Sequence, residues 1–557
     1  MLTNPTSQTV RPRPIGHLLA AALTVAALAV ALLPAAAAAA ATPPSWSAPV
    51  DLSESGVGVY GPQVAVDPAG DAAAVWMQAM VGGGYSVQAA TRPAGGAWTT
   101  PVKLSSPGLN AAEPTVAIDA HGDAIAVWQQ TLETTMVVAA THVAGAASWS
   151  VGQTVSNPMR EAGEPRVAID PGGDAVVLFT GRNAAGNEIV QASAEQGFGG
   201  EWGAPILLSA PGADASRATL GIDDAGEAIA VWQRPNNIGY VVQASRRPAG
   251  GSWSAPESLS GAGGEVSLPR LAVNANGDAA VIWSHFSGTI RTAVTTRSAG
   301  GTWSLPRDLS PEGQESFEAR VALDAQGDAT VLWVNLSGEY TVQSSTEAAG
   351  TGVWSAPVDL VQADPIPPEP SLAIAPGGDA VVAWQSGAVG GTTTVEAASR
   401  KGADGAWSSP GLISAPTDGV EQPDVAIEPN GAATAIWGSY GGGFVGVQSA
   451  TFDPGTESEG EAEVPAGGGP GSGTVPSASG PTGPAGDATQ PPAASATKPP
   501  AAPTCPRGKA LRKVKVPARG RGAKAKKKTR TVLRCVKPNP HRKAHHHQRH
   551  GNRQARR

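Results

Sequence analysis

The stretch Pro62-Gln63-Val64-Ala65-Val66-Asp67-Pro68-Ala69-Gly70-Asp71-Ala72-Ala73-Ala74-Val75-Trp76 reads as strand, turn, strand. Apolar residues alternate up to Val66, Pro-Ala-Gly-Asp supplies turn chemistry, and Ala72 to Trp76 resumes an apolar run. Continuing outward, Tyr85-Ser86-Val87-Gln88-Ala89-Ala90-Thr91 gives a third strand. After Pro93-Ala94-Gly95-Gly96, the segment Trp98 to Leu104 gives a fourth. One unit is therefore four short antiparallel strands joined by tight turns.

The unit recurs. Trp46, Trp98, Trp149, Trp202, Trp253, Trp303, Trp354 and Trp407 are spaced 52, 51, 53, 51, 50, 51 and 53 residues apart, and most open a Trp-Ser-x-Pro segment. A period of this size with four strands per unit points to a β-propeller, a ring of radially arranged sheets. The region begins with a lone fourth strand, Trp46 to Leu52, and ends with a third strand, Val445 to Phe452. If the amino-terminal strand completes the last sheet, the expected fold is an all-β, eight-bladed propeller of four-stranded antiparallel blades with no open sheet edge. A linear solenoid is the alternative, and it would need capping repeats. All 15 Trp fit the scaffold: eight open fourth strands, and Trp76, Trp128, Trp232, Trp283, Trp333, Trp384 and Trp437 end second strands, with Phe179 in the eighth place. Core packing between sheets is the expected role of these residues, in preference to sugar stacking.

The Gly-rich turn running into Trp-Ser-x-Pro, followed by Pro-x-Val-Ala-x-Asp-x-x-Gly-Asp-Ala-x-x-x-Trp, resembles the Asp-box (BNR) repeat of sialidase-like propellers over residues 46–453. The Gly and Trp of that box are kept as Gly250 and Trp253, whereas Pro248 stands where the family has Asp, so the box is degenerate. The resemblance implies the fold class only, since catalytic sialidases have six blades.

Composition agrees with this architecture. The 557 residues include 70 Gly and 49 Pro with 15% charged residues, which excludes a coiled coil and argues against a mainly helical chain. The formal charge of -7 conceals two opposite pieces. Residues 46–453 carry 16 Lys+Arg against 41 Asp+Glu, a net charge of -25, whereas residues 505–557 carry 9 Lys and 11 Arg with no acid. Acidic and basic pieces of this kind usually have separate partners.

Four segments are expected. Residues 1–41 read as a signal peptide: Arg11 and Arg13 precede an apolar run from Leu18 to Leu33, then Pro34 and the small residues Ala35 to Ala41. An uncleaved anchor is the alternative, because 16 apolar residues fall just short of the roughly 18 that span a bilayer. No transmembrane segment is expected after cleavage, so the mature chain is expected to be secreted, extracellular or cell-wall associated. Residues 42–453 form the propeller. Residues 454–504 are a Gly/Pro/Ser/Ala-rich linker expected to be disordered, and residues 505–557 form a basic tail. Cys505 and Cys535, the only cysteines, are expected to form a disulfide around two short basic strands.

Candidate sites are fewer than candidate folds. The recurring Asp-x-x-Gly-Asp, as in Asp67 to Asp71, invites calcium, but two carboxylates per turn are few and a hairpin turn explains the pattern without metal. No metal or cofactor is expected. By analogy with other propellers, ligands bind at the face built from the fourth-to-first and second-to-third strand loops, where Tyr60, Arg160, Arg182, Arg217 and Arg234 are the ligand-binding candidates. Sialidase chemistry would need an arginine clamp and a Tyr nucleophile with a carboxylate partner, and the family's arginine motif is not recognisable around these residues. The Ser-elbow, zinc and Walker motifs are missing as well. The chain is therefore expected to be a non-catalytic propeller that binds a carbohydrate or protein ligand. A divergent sialidase-like glycoside hydrolase is the alternative. The tail, with His541, His545, His546, His547 and His550 among its cations, is expected to hold an anionic cell-wall polymer or surface. Such a polycation binds nucleic acid in vitro, but nucleic acid is not an expected physiological partner of an exported chain.

Overall fold

The computed structural model describes residues 42–456, except 238, 262–264, 363–367, 388–390 and 442–443, together with the segments Ala510–Pro517 and Thr529–Val536. The expected signal peptide, the linker beyond its first three residues, Cys505 and its bridge to Cys535 lie outside the described residues.

Seven four-stranded antiparallel sheets follow one another in chain order, and in an eighth two short amino-terminal strands together supply the fourth strand beside the last three. The first comprises Val59–Val66, Ala72–Ala79, Tyr85–Arg92 and Val102–Lys103. Its relatives begin at Asn110–Ile118, Ala162–Ile169, Ser216–Ile222, Glu265–Val273, Glu315–Leu323, Ser371–Ile374 and Gly419–Ile427. Each of these first strands packs beside the first strand of the next sheet, and Gly419–Ile427 packs back against Val59–Val66. The first strands therefore ring a central axis. The chain is an eight-bladed β-propeller.

Closure follows the sequence reading. Ser45–Trp46 and Val50–Asp51 pair antiparallel with Phe444–Asp453, setting Trp46 opposite Phe452 and Val50 opposite Ser449. The fourth strands contribute less ladder than expected: of Trp98 to Leu104 only Val102–Lys103 is assigned as strand. Pro101 has no N–H for the ladder, which an outer edge tolerates, but the second blade's fourth strand, Gln153–Thr154, is equally short with Gly152 in that place, and Thr99 and Leu104 still donate to the Thr91 and Val87 carbonyls.

The core lies between blades. Trp437 of the eighth blade packs with Val381, Ala383, Val395 and Ile413 of the seventh, and similar clusters fill the other seams. Trp76, Trp128, Trp232, Trp283, Trp333, Trp384, Trp437 and Phe179 are all buried, beside small neighbours such as Ala72, Ala73 and Ala74. Small residues let the inner strands crowd toward the axis, and the Trp rings supply the apolar area they lack.

The aspartates of the repeat hold the turns. Asp67 Oδ1 accepts from the N–H groups of Ala69 (2.9 Å) and Asp71 (2.8 Å), which caps the turn between first and second strands. The second Asp reaches outward: Asp71 accepts from Ala94 N–H at 2.6 Å, and Asp123, Asp174, Asp278, Asp328 and Asp379 do the same for the third-to-fourth strand turns of their own blades. Glycine is required here twice over. Gly327 has φ +86°, and a Cβ on it would lie 2.8 Å from Asp278 Oδ2 of the preceding blade.

The carboxy-terminal unit, taken by itself, contains one antiparallel hairpin in which Ala510–Pro517 pairs with Thr529–Val536 and Arg512 stands opposite Arg534. Among the described residues no helix is long and apolar enough to cross a membrane.

Candidate functional site

Because strands alternate in direction, the Asp-tied turns share one face and the second-to-third and fourth-to-first strand loops share the other, here the upper face. All five Tyr of the chain stand at upper ends of strands: Tyr60 in a first strand, Tyr85, Tyr240 and Tyr340 at the start of third strands, and Tyr440 near the end of a second strand. Three of them converge at the seam where the ring closes. Tyr60 meets Tyr85 edge-on with centroids 5.3 Å apart and lies 6.3 Å from Tyr440. The Tyr440 hydroxyl donates to the Val59 carbonyl, and burial, followed by the nearby Glu421 charge, pushes its phenol above the ordinary value. Gly61 N–H donates to Gln422 Oε1 at 2.7 Å across the same seam.

Inside this rim lies the axial mouth. In seven blades the pairing of first and second strands slips at the same place, for example between Tyr60 and Gln63, Gly163 and Arg166, and Ser267 and Arg270. At the bulge Glu113, Glu164, Arg217, Leu268, Glu318 and Gln422 adopt φ between 49° and 56°, and Gly61 fills the place in the first blade. Left-handed backbone costs a non-glycine residue about 1 kcal/mol. A bulge re-aims the side chain it carries, and Glu113, Arg217, Leu268 and Gln422 are exposed at the mouth.

Two residues further along each strand lies a second ring: Gln63, Thr115, Arg166, Thr219, Arg270, Arg320, Ser371 and Asp424. All eight are polar. Asp424 bridges three blades, accepting from Val64 N–H (3.0 Å) and Ser371 Oγ (2.9 Å), and burial raises its carboxyl above the usual carboxylate range. Glu113 and Glu369 are raised as well, by burial and then by the Glu164 and Glu318 charges respectively.

A cavity of about 300 Å³ opens between the second and third blades, lined among others by Gln129, Glu161, Glu164, Thr180, Arg182 and Glu188. The Glu188 carboxyl is raised by burial and then by Glu164. A second cavity, about 330 Å³, lies on the opposite face against Asp278, Arg297, Trp303 and Glu347, where Asp278 and Glu347 already accept from the backbone of the turns.

The five expected ligand-binding residues all lie on the upper face but do not form one cluster. Tyr60 belongs to the seam. Arg160 is exposed in the loop between the second and third blades. Arg182 turns to Glu161, Nε to Oε2 3.0 Å, and to the Gly186 carbonyl. Arg234 is half-buried at the end of a second strand. Only Arg217 joins other guanidinium groups, those of Arg166 and Arg270, and these come from the second ring, which the sequence reading passes over. Aligning the repeats on Pro62-Gln63 would expose it, because one position then holds Arg in three repeats and a polar residue in the other five.

No known protein family and no curated protein matches this sequence. Among solved structures, a lectin from Burkholderia pseudomallei is 15% identical, covering 66% of this chain and 100% of its own with a TM-score of 0.43. An ulvan lyase is 10% identical, covering 72% and 96% with a TM-score of 0.44. A Hadza microbial sialidase is 11% identical, covering 54% and 71% with a TM-score of 0.35. The fold assignment rests on the chain's own sheet topology, and likenesses this distant say nothing of its ligand or chemistry.

Proposed function

We propose that this chain is an exported, non-catalytic propeller that binds a carbohydrate through its upper face and is retained at an anionic surface by its basic tail. The observation that carries the reading is the division of aromatic labour: every Trp serves the scaffold, while all five Tyr stand on one face. Tyr offers an apolar ring and a polar tip at low conformational cost, the combination suited to a ligand with both CH faces and hydroxyls. At the closure seam Tyr60 and Tyr85 provide such a surface beside the carboxamide of Gln422 and the carboxylate of Glu421. The degenerate Asp-box fits a scaffold role, with aspartates of the neighbouring turn docking the loop instead.

A glycan array probed with the full chain and with a chain lacking residues 505–557 tests this. Neutral glycans retained by both forms support the reading, and an array blank for both sinks it. The hydrolase alternative has its own observation, the raised carboxyls of Glu113 and Glu188 flanking Glu164 beside a cavity. Turnover of aryl glycosides that is abolished by Glu188→Gln would replace the binding reading.

A further inference from the structure

Three arginines occupy the same place in three repeats. Arg166, Arg270 and Arg320 lie two residues beyond the bulge of first strands in the third, fifth and sixth blades, and those strands ring the axis. They enter from one side of the ring. On the far side Asp424 accepts from Val64 N–H and Ser371 Oγ, and the Arg320 charge acts on it across the ring.

Their donors are poorly used. Arg166 Nη1 donates to the carbonyl of its own neighbour Pro165 at 2.7 Å, and Arg320 Nη1 to that of Ala319 at 3.1 Å. Arg320 lies 3.7 Å from Glu318 Oε2, a loose pair. Among the described residues no carboxylate comes within ion-pair distance of Arg270, although its side chain is reachable by solvent. Partial desolvation within the crowded ring, and then the positive charges of Arg320 and Arg166, draw its guanidinium down to about 10. Arg217 adds a fourth cation at the mouth. Glu113 and Glu164 act on Arg166, and Glu318 on Arg270, from the rim, but a guanidinium has five N–H donors and keeps its charge at neutral pH, so donors remain for an added acceptor.

We infer that Arg166, Arg270 and Arg320 form an axial site for a tetrahedral oxyanion, a sulfate or phosphate group that is either free or carried as an ester on a glycan. A planar carboxylate is satisfied by the fork of one Arg, whereas guanidinium groups from three separate strands suit an anion with oxygens in several directions. Thr219 of the same ring adds a hydroxyl. The site does not depend on the tyrosine seam.

The test is calorimetric titration of the full chain with sodium sulfate at constant ionic strength, with wild type and Arg270→Gln in parallel. The tail is the same in both proteins, so their difference reports the axial site alone. Wild type is expected to bind sulfate with a Kd that Arg270→Gln weakens about tenfold or more, and Arg320→Gln similarly. Because Arg270→Gln removes a repelled charge, its unfolding midpoint without sulfate should equal or exceed that of wild type, which separates lost binding from lost folding. Equal sulfate affinity in wild type and both variants, or acetate binding as tightly as sulfate, would overturn the proposal. A sulfated monosaccharide binding more tightly than free sulfate assigns the ester as the source, and the reverse assigns the free anion. Tyr85→Ala should leave sulfate binding unchanged, so a failed tyrosine face and a failed axial site give different results.

Discussion

Leu52→Ala asks whether the amino-terminal strand is a true member of the last blade. Leu52 is 4% exposed and packs with Val59, Val64, Trp76, Ile436 and Val447, a cluster drawn from both sides of the closure seam. Its N–H donates to the Val447 carbonyl at 2.8 Å. Leu208 holds the equivalent place in an interior repeat: it is 6% exposed, packs with Val190 and Trp232, and donates to the Val190 carbonyl at 2.9 Å. Truncating a buried Leu to Ala costs about 2–4 kcal/mol through lost transfer energy and the cavity left behind. If closure is structural, Leu52→Ala and Leu208→Ala should cost the same. In urea, with a slope near 3 kcal/mol per molar, each should lower the midpoint by about 1 M. A clear loss for Leu208→Ala beside an unchanged midpoint for Leu52→Ala would refute the closure argument, because the strand would then be a loosely docked tail.

Other consequences follow from single contacts. Asp328→Ala removes the 2.7 Å bond to Ala349 N–H, so unfolding should shift by about 1–2 kcal/mol, and calcium or a chelator should leave the wild-type midpoint unchanged. The raised carboxyl of Glu188 means that the folded chain holds this proton more tightly than the unfolded one. Its contribution is therefore present at low pH and lost as pH rises through the raised value. Glu188→Gln should therefore gain stability on wild type as pH rises from the acid range to neutrality, read as the difference between their urea midpoints across that range. Deleting residues 505–557 should move the protein from the surface to the medium, and 1 M salt, where the screening length is about 3 Å, should do the same to the full chain. Equal surface retention of the two forms would remove the tail from the account.

Much of the architecture is readable from residues alone. Trp at intervals of 50 to 53 residues and the Pro-Ala-Gly-Asp turns define strand order, and the complementary partial repeats at each end define closure. The bulge ring is less legible, because Glu113, Arg217 and Leu268 carry no propensity for left-handed backbone. Their conformation belongs to a bulge that seven of the eight blades repeat at one place. The outer edge shows the same limit, where a plausible seven-residue strand keeps a regular ladder over only Val102–Lys103, with single bonds from Thr99 and Leu104 on either side. The axial arginines are hidden for a different reason. Each lies inside a segment that reads as an ordinary strand, and only ring closure brings Arg166, Arg270 and Arg320 within electrostatic range. The loop arginines illustrate the converse: Arg160, Arg182 and Arg234 share a face, yet Arg182 is taken by Glu161 before any clamp forms.

The most direct measurement of the binding reading is calorimetric titration of wild type, Tyr60→Ala and Tyr85→Ala with the strongest neutral glycan from the array. Loss of about 1–3 kcal/mol of affinity in both variants, with unfolding midpoints unchanged, is the predicted result. An unchanged Kd in both variants would contradict the assignment of the tyrosine face as the binding surface.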